Sequence, residues 1–201
     1  MARAFRGGLV VISGPSGSGK TTICKRLLED PRVHMSVSAT TRPRRPNEVE
    51  GRDYYFFTHE QFDRAIDRGE FIEWAEVYGN RYGSLRKPLL EALQRRVEIY
   101  LMEIDVQGAI RLQEQGFAGT YIFIQPPSLE ELQRRLEQRN ANSADDVRRR
   151  LEVAQREISC RDRYEFVVVN RKLDETVDEV RGILGLGSGT PAGPKSGAVP
   201  R

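Results

Sequence analysis

The sequence predicts an α/β fold: a parallel sheet flanked by helices, with a smaller mixed unit inserted into it. Three observations carry this. Short apolar runs alternate with helical patterns along most of the 201 residues. The first apolar run leads into a glycine-rich loop and then a helix. Between Thr40 and about Ser84 the texture changes to mixed aromatics, glycines and charges.

Leu9–Ser13 (LVVIS) is almost wholly apolar and stops at glycines, which suits a strand buried on both faces. The helix TTICKRLLED follows the glycine loop and ends before Pro31. Val33–Ser38 reads as a second strand. In the inserted stretch, strands are predicted at Asp53–Phe57 and Phe71–Tyr78, around a helix at Glu60–Arg68. LRKPLLEALQRR is a helix with Pro88 near its first turn. EIYLMEID is a buried strand ending in carboxylates, and the helix from Val106 stops at Gly116. TYIFIQ is a strand closed by Pro126 and Pro127. Ser128 and Glu131 read as a capping box for a helix to about Arg139. NANSADD is a polar break, with Ser143 capping a long helix to about Cys160. YEFVVVN and LDETVDEVRGIL supply the last strand and helix. Gly185–Arg201 is rich in Gly, Pro and Ser without periodicity and is expected to be disordered.

The charges nearly balance, 32 basic residues against 29 acidic, for a net +3, which argues against a general nucleic-acid binder. No apolar run approaches the roughly 20 residues of a membrane span, and the first residues lack a signal-peptide layout. Cys24 and Cys160 are too few for a disulfide framework and read as thiols of a reducing cytosol, so a cytoplasmic location is expected. His34 and His59 stand alone, without metal-ligand spacing.

GPSGSGKT, Gly14 to Thr21, fits G-x-x-x-x-G-K-[ST] between an apolar strand and a helix, the context that gives this motif its meaning. Gly14, Pro15, Ser16, Gly17, Ser18 and Gly19 form a loop whose backbone N–H groups turn inward around an anion. The helix N-terminus adds about half a positive charge. Lys20 reaches the β- and γ-phosphates, and the Thr21 hydroxyl, with Thr22 beside it, faces Mg²⁺. The donor is therefore read as a nucleoside triphosphate. The acceptor stays open here, because GTPases, motor ATPases and small-molecule kinases share the loop. A second anion site is suggested by TTRPRRPNEVEGRDYYF, whose arginines Arg42, Arg44, Arg45 and Arg52 lie on a proline-stiffened loop. A solvated basic loop, a nucleic-acid patch and a small-molecule phosphate site all fit these residues alone.

Four stretches, SVSATTRPRRPNEVEGRDYYF, FIEWAEVYGNRYGS, LMEIDVQG and PPSLEELQRRLEQR, come in the order and spacing of the guanylate kinases. On them the chain resembles that family from about Leu9 to Gly182. The resemblance implies a P-loop kinase with a five-stranded parallel sheet flanked by helices. It divides the chain into a core (1–39 and 85–184), a small mixed α/β GMP-binding insertion (40–84) and a helical lid at about 135–155. The implied reaction moves the γ-phosphoryl group of ATP, with Mg²⁺, to GMP and by extension dGMP. ATP and GMP are the implied partners; neither nucleic acid nor membrane is, and oligomeric state is left open.

The same resemblance assigns residues. Glu73 of FIEWA reads guanine, since a carboxylate accepts from N1–H and the 2-amino group together, a donor pair that adenine lacks. Ser38 and Ser84 line the base, and Asp105 lies near base and metal. Arg42, Arg45, Tyr54 and Tyr82 clamp the acceptor phosphate, where two guanidinium forks and two phenols suit a dianion. Arg135, Arg139 and Arg150 are lid arginines that meet the transferring phosphates, whereas Arg134, Arg148 and Arg149 read as helix-surface partners of nearby acids. Asn170 matches a residue near adenine. The chain departs from the family's T-T-R-x-P-R-x-G-E at Arg44 and Asn47, and Arg44 reads as solvated. Arg171 and Lys172 replace acids after Asn170. Glu103 replaces a usual aspartate, leaving two metal assignments open: Glu103 through a water, or Asp105 alone. The rival readings are a non-catalytic binding module on the same fold, a kinase of AMP, UMP or dTMP, and an RNA-binding accessory role.

Overall fold

A computed structural model describes residues 8–77, 79–139 and 144–187. In chain order it has β1 (Gly8–Ser13), α1 (Lys20–Leu27), β2 (Val33–Met35), β3 (Ser38–Thr40), β4 (Tyr55–Phe56) and α2 (His59–Asp67). Then come β5 (Phe71–Val77), β6 (Asn80–Leu85), α3 (Arg86–Gln94), β7 (Ile99–Glu103), α4 (Val106–Glu114) and β8 (Thr120–Gln125). α5 (Leu129–Arg139), α6 (Ala144–Ser159), a 3₁₀ turn at Arg161–Arg163, β9 (Phe166–Val169) and α7 (Leu173–Ile183) complete it.

Five strands form one sheet in the order β2-β7-β1-β8-β9, every pairing parallel. β1, β7 and β8 are almost wholly buried, because helices cover both faces. One face packs Val11, Met102 and Phe123 against α3 and α4. The other packs Val10, Ile12, Leu101 and Ile122 against α1 and α7. This is the parallel α/β fold read from the alternating pattern.

A second sheet, ordered β4-β3-β6-β5, is mixed: β3 runs parallel to β4, while β6 is antiparallel to both β3 and β5. It has its own core, where the Phe62 ring of α2 stacks on Phe71 at 4.4 Å. α2 starts one residue earlier than predicted because Thr58 caps it, accepting from Gln61 N at 3.1 Å while Gln61 Oε1 accepts from Thr58 N at 2.7 Å. α5 and α6 pack on each other through Leu132, Leu136, Val147 and Ala154.

Several expectations change. Val33–Ser38 is not one strand. Ser36 N donates to Leu101 O at 2.8 Å, the chain then leaves the large sheet, and Ser38–Thr40 pairs in the small one. β6, central in the small sheet, was not foreseen. The capping box of α5 is half made. Ser128 Oγ accepts from Glu131 N at 3.2 Å, but the Glu131 carboxylate is taken up by Arg134 and Arg135. Three charge-assisted bonds outweigh one to a neutral amide. The predicted cap at Ser143, the strand end at Tyr78, the side chain of Arg139 and the tail beyond Gly187 lie outside the described residues.

Within the stretch expected to be disordered, Leu186 is only 7% exposed and packs in the core. Its carbonyl accepts from Arg32 and Arg181, both at 3.3 Å. Those two guanidinium groups also hold Asp30, which bonds Arg32 in bidentate fashion and meets Arg181 at 3.3 Å. Hydrogen bonding from Arg32 holds the Asp30 carboxyl at about 2, below the ordinary 3.8. Asp30→Ala is therefore expected to cost about 3 kcal/mol at pH 7 by stranding the buried Arg181. Because the folded-state pKa is depressed, this stabilisation is complete above about pH 4 and is lost as pH falls toward 2. Denaturation midpoints of wild type and variant should accordingly converge between those pH values.

Candidate active site

The glycine loop runs from the end of β1 to the start of α1. Gly14 has φ 138°, and a Cβ there would stand 2.2 Å from Ile124 O of β8, so the loop begins hard against the neighbouring strand. Gly19, at φ 100°, is the N-cap of α1, and a Cβ on it would meet Asn170 Nδ2 at 2.3 Å. Gly17 rests on Leu132 and Leu136 of α5. Pro15 and Ser18 are buried, and Ser16 and Thr22 are exposed. Lys20 Nζ donates to Gly14 O at 2.6 Å and Pro15 O at 3.0 Å, curling back over the loop. Burial pulls its pKa down, against the opposing pull of Glu103 and Glu157.

Thr21 Oγ1 donates to Glu103 Oε1 at 2.6 Å. Asp105 is engaged elsewhere, as the N-cap of α4, accepting from Gly108 N at 2.7 Å. Between the two open assignments, the structure thus puts Glu103 rather than Asp105 in contact with the Thr21 hydroxyl. Hydroxyl and carboxylate oxygens suit a hard divalent cation. Among the described residues no group of three or more His, Cys, Asp or Glu side chains is arranged to hold a metal.

Asn170 is 6% exposed. Its Nδ2 donates to Ser18 O at 2.8 Å, and its Oδ1 accepts from Thr176 Oγ1 at 3.1 Å. The amide placed near adenine by resemblance is thus a brace between β9, α7 and the glycine loop. Arg135 joins it, donating to Asn170 O at 3.2 Å and to Glu131 Oε1 at 2.9 Å. The following Arg171 and Lys172 are exposed. Arg134 pairs with Glu131, Arg148 with Asp145 and Arg149 with Asp146, the helix-surface role expected of them. Arg150 is half-buried on α6.

The small sheet collects the residues expected on the acceptor side. Register places Ser38 opposite Ser84, and Ser84 opposite Glu73, so three strands set these residues in one row. Tyr82 lies two positions from Ser84 on β6, on the same face. Glu73 is 6% exposed, and burial raises its pKa to about 7, with Asp105 adding to the rise and Ser84 and Arg111 opposing it. Ser84 Oγ is buried beside this carboxylate. A Cβ on Gly108 of α4 would stand 2.5 Å from Glu73 Oε2, so this glycine makes room for the carboxylate.

Arg42 lies 5.6 Å over the Tyr54 ring, whose edge meets the Tyr82 ring at 6.1 Å. Burial, then Glu103, pushes the Tyr54 hydroxyl up to about 12, so this cluster senses the same β7 end that meets Thr21. Three of the four predicted clamp residues are therefore together. Arg45 and Arg44 have exposed side chains.

Sequence reasoning missed Glu48 and Glu157. Glu48 takes Arg42 at 2.7 Å through one oxygen and Arg45 N at 2.8 Å through the other, tying the arginine loop shut on itself. Its signal was the acid ending the loop motif. Glu157 lies on α6; burial raises it to about 7, Lys20 pulls it down and Asp105 pushes it up. Nothing in the helical pattern marks it.

A family model described as guanylate kinase matches residues 6–185. The guanylate kinase of Zymomonas mobilis is 45% identical over 183 residues, covering 90% of this chain and 84% of that protein. That of Geobacter metallireducens is 44% identical over 179 residues, covering 89% and 88%. The crystal structure of guanylate kinase from Anaplasma phagocytophilum superposes with a TM-score of 0.74 at 40% identity, covering 90% of this chain and 85% of that one.

Asn170→Ala removes the brace under Ser18. It is expected to lower the unfolding free energy by about 1–3 kcal/mol and to weaken ATP binding, as read by urea denaturation and nucleotide titration.

Proposed function

This chain belongs to the guanylate kinase family, and we propose that it transfers the γ-phosphoryl group of ATP to GMP, and to dGMP, which carries the same base and phosphate. The observation that carries this reading is the row Ser38–Ser84–Glu73 beside the Arg42–Tyr54–Tyr82 cluster. A base-reading carboxylate and a phosphate clamp thereby share one small sheet. ATP lies along the Gly14–Thr21 loop, its phosphates against backbone N–H groups and Lys20. The residues suited to hold Mg²⁺ with ATP are Thr21 and Glu103, with Asp105 behind them. When bound, the ion neutralises charge on the transferring phosphates.

The protein's own part is positioning and positive charge, because a loose, in-line transfer asks for little covalent chemistry. Lys20 stands at the donor phosphates. Arg42 and Arg45 hold the acceptor phosphate with the Tyr54 and Tyr82 hydroxyls. Arg135 is already at the donor side beside Asn170, and Arg139 and Arg150 join it when α5 and α6, acting as a lid, close. Closure also excludes water that would hydrolyse ATP. Residues 40–84 form the acceptor unit, and the remainder of the fold to α7 forms the donor unit.

Glu73 supplies the selectivity. Its carboxylate accepts two hydrogen bonds from guanine, each on the order of 1.5–3 kcal/mol for a charged acceptor. Adenine offers no such donor pair. Among the described residues no helix is long and apolar enough to cross a membrane, and we place the protein in the cytoplasm with ATP and GMP as its partners.

The deciding assay is ADP release with Mg-ATP and each of GMP, AMP, UMP and dTMP. Turnover with GMP alone is expected; turnover with another acceptor, or none despite ATP binding, overturns the reading. In the same assay Lys20→Ala is expected to abolish turnover while the circular dichroism spectrum is kept.

Glu73→Gln is expected to raise KM for GMP far more than KM for ATP. With Glu73 at about 7, guanine must meet the ionised form, so binding weakens as pH falls from 8 to 6. Guanosine is the ligand to titrate, since the GMP phosphate ionises near pH 6. Calorimetry should show the pH dependence in wild type and a flat profile in Glu73→Gln.

A further inference from the structure

Among the described residues β5 is the edge strand of the small sheet, so one side of it faces no further strand. An edge leaves a row of carbonyls in need of donors. Two of them are taken by side chains from α4. Arg111 Nη1 donates to Trp74 O, and Gln115 Nε2, at the C-cap of the helix, donates to Ile72 O at 2.8 Å. These carbonyls belong to the residues immediately before and after Glu73. The Arg111 guanidinium also lies 6.0 Å over the Trp74 ring.

The match is one of length as well as chemistry. Residues 111 and 115 are one helical turn apart, about 6 Å along the axis. Residues 72 and 74 are two strand positions apart, about 6.6 Å in a regular strand, with a bulge between Phe71 and Glu73 at the Ile72 end. Gly108, three residues before Arg111, falls on the same helix face, and there a Cβ would press on the Glu73 carboxylate. Gly108, Arg111 and Gln115 thus form one stripe that grips β5 in a single register. A slip of one residue would turn the Glu73 side chain to the other face of the sheet.

We propose that Arg111 and Gln115 are positioning residues for acceptor specificity: by holding the carbonyls on either side of Glu73, they fix where the base-reading carboxylate stands. This rests on the reading of Glu73 given above. Both side chains end on carbonyls that flank Glu73, so their action is through Glu73. Both residues are exposed on α4, so replacing them leaves the core intact.

The test is steady-state kinetics of wild type, Arg111→Leu/Gln115→Leu and Arg111→Lys, with GMP and AMP as acceptors. The double variant should raise KM for GMP at least tenfold and leave KM for ATP within twofold. Its preference for GMP over AMP, as a ratio of kcat/KM, should fall at least tenfold. Arg111→Lys keeps a donor and a cation, and its KM for GMP should stay within threefold of wild type. The proposal is overturned if the double variant keeps the wild-type KM for GMP, or if both KM values rise together with the preference unchanged. Should the double variant not fold, Gln115→Glu, which sets an acceptor against the Ile72 carbonyl, must show the same selective rise in KM for GMP or the proposal falls. Absence of GMP turnover in the wild type would instead sink the functional reading itself.

Discussion

The carboxyl end of β7 has to serve two neighbours at once, and the rest of the site is arranged around that demand. Glu103 holds Thr21 at the start of α1 and acts on Tyr54 across the cleft. Two residues on, Asp105 caps α4 and acts on Glu73. A parallel sheet puts the ends of neighbouring strands side by side, so β1 delivers the glycine loop next to this acidic pair. The small sheet is held over the same point by α4. The glycine loop and the small sheet are thus referenced to one short segment, and their relative placement depends on few bonds.

That economy explains the unusual electrostatics. Lys20, Glu73 and Glu157 are all shifted by burial toward their neutral forms. A protein interior tolerates such groups only when partners complete them. Here several bonds are provisional: Lys20 sits on carbonyls of its own loop, and Arg42 sits on Glu48. Each is a cation parked on a local oxygen beside the cleft it serves in the proposed reaction.

Much of the fold was legible because it rests on local chemistry. The glycine loop needs small residues for backbone reasons, and the apolar runs of the core strands have no reading other than burial. The acceptor-side residues were legible as types but not as a row. β6 is polar and glycine-interrupted, and β3 continues the pattern of β2 without a turn residue, so neither strand announces itself. The alignment of Ser38, Ser84 and Glu73 is a property of register, which depends on pairing across distant stretches. Glu48, Glu157, Arg111 and Gln115 stayed hidden for another reason. A polar residue on a loop or helix looks solvated until its partner, 3 or 40 residues away, is known.

The Asp30 cluster carries the cooperative unit of this protein past the end of its last helix. Helix α7 stops at Ile183, but Leu184 and Leu186 are buried. The carbonyls of Leu186 and Gly187 complete the bonding of a guanidinium that the core has largely closed over. A chain cut at the end of α7 would keep every helix and strand and still lose the oxygens that make Arg181 tolerable inside. The cooperative unit therefore reaches at least to Gly187, and a truncation has to keep that residue.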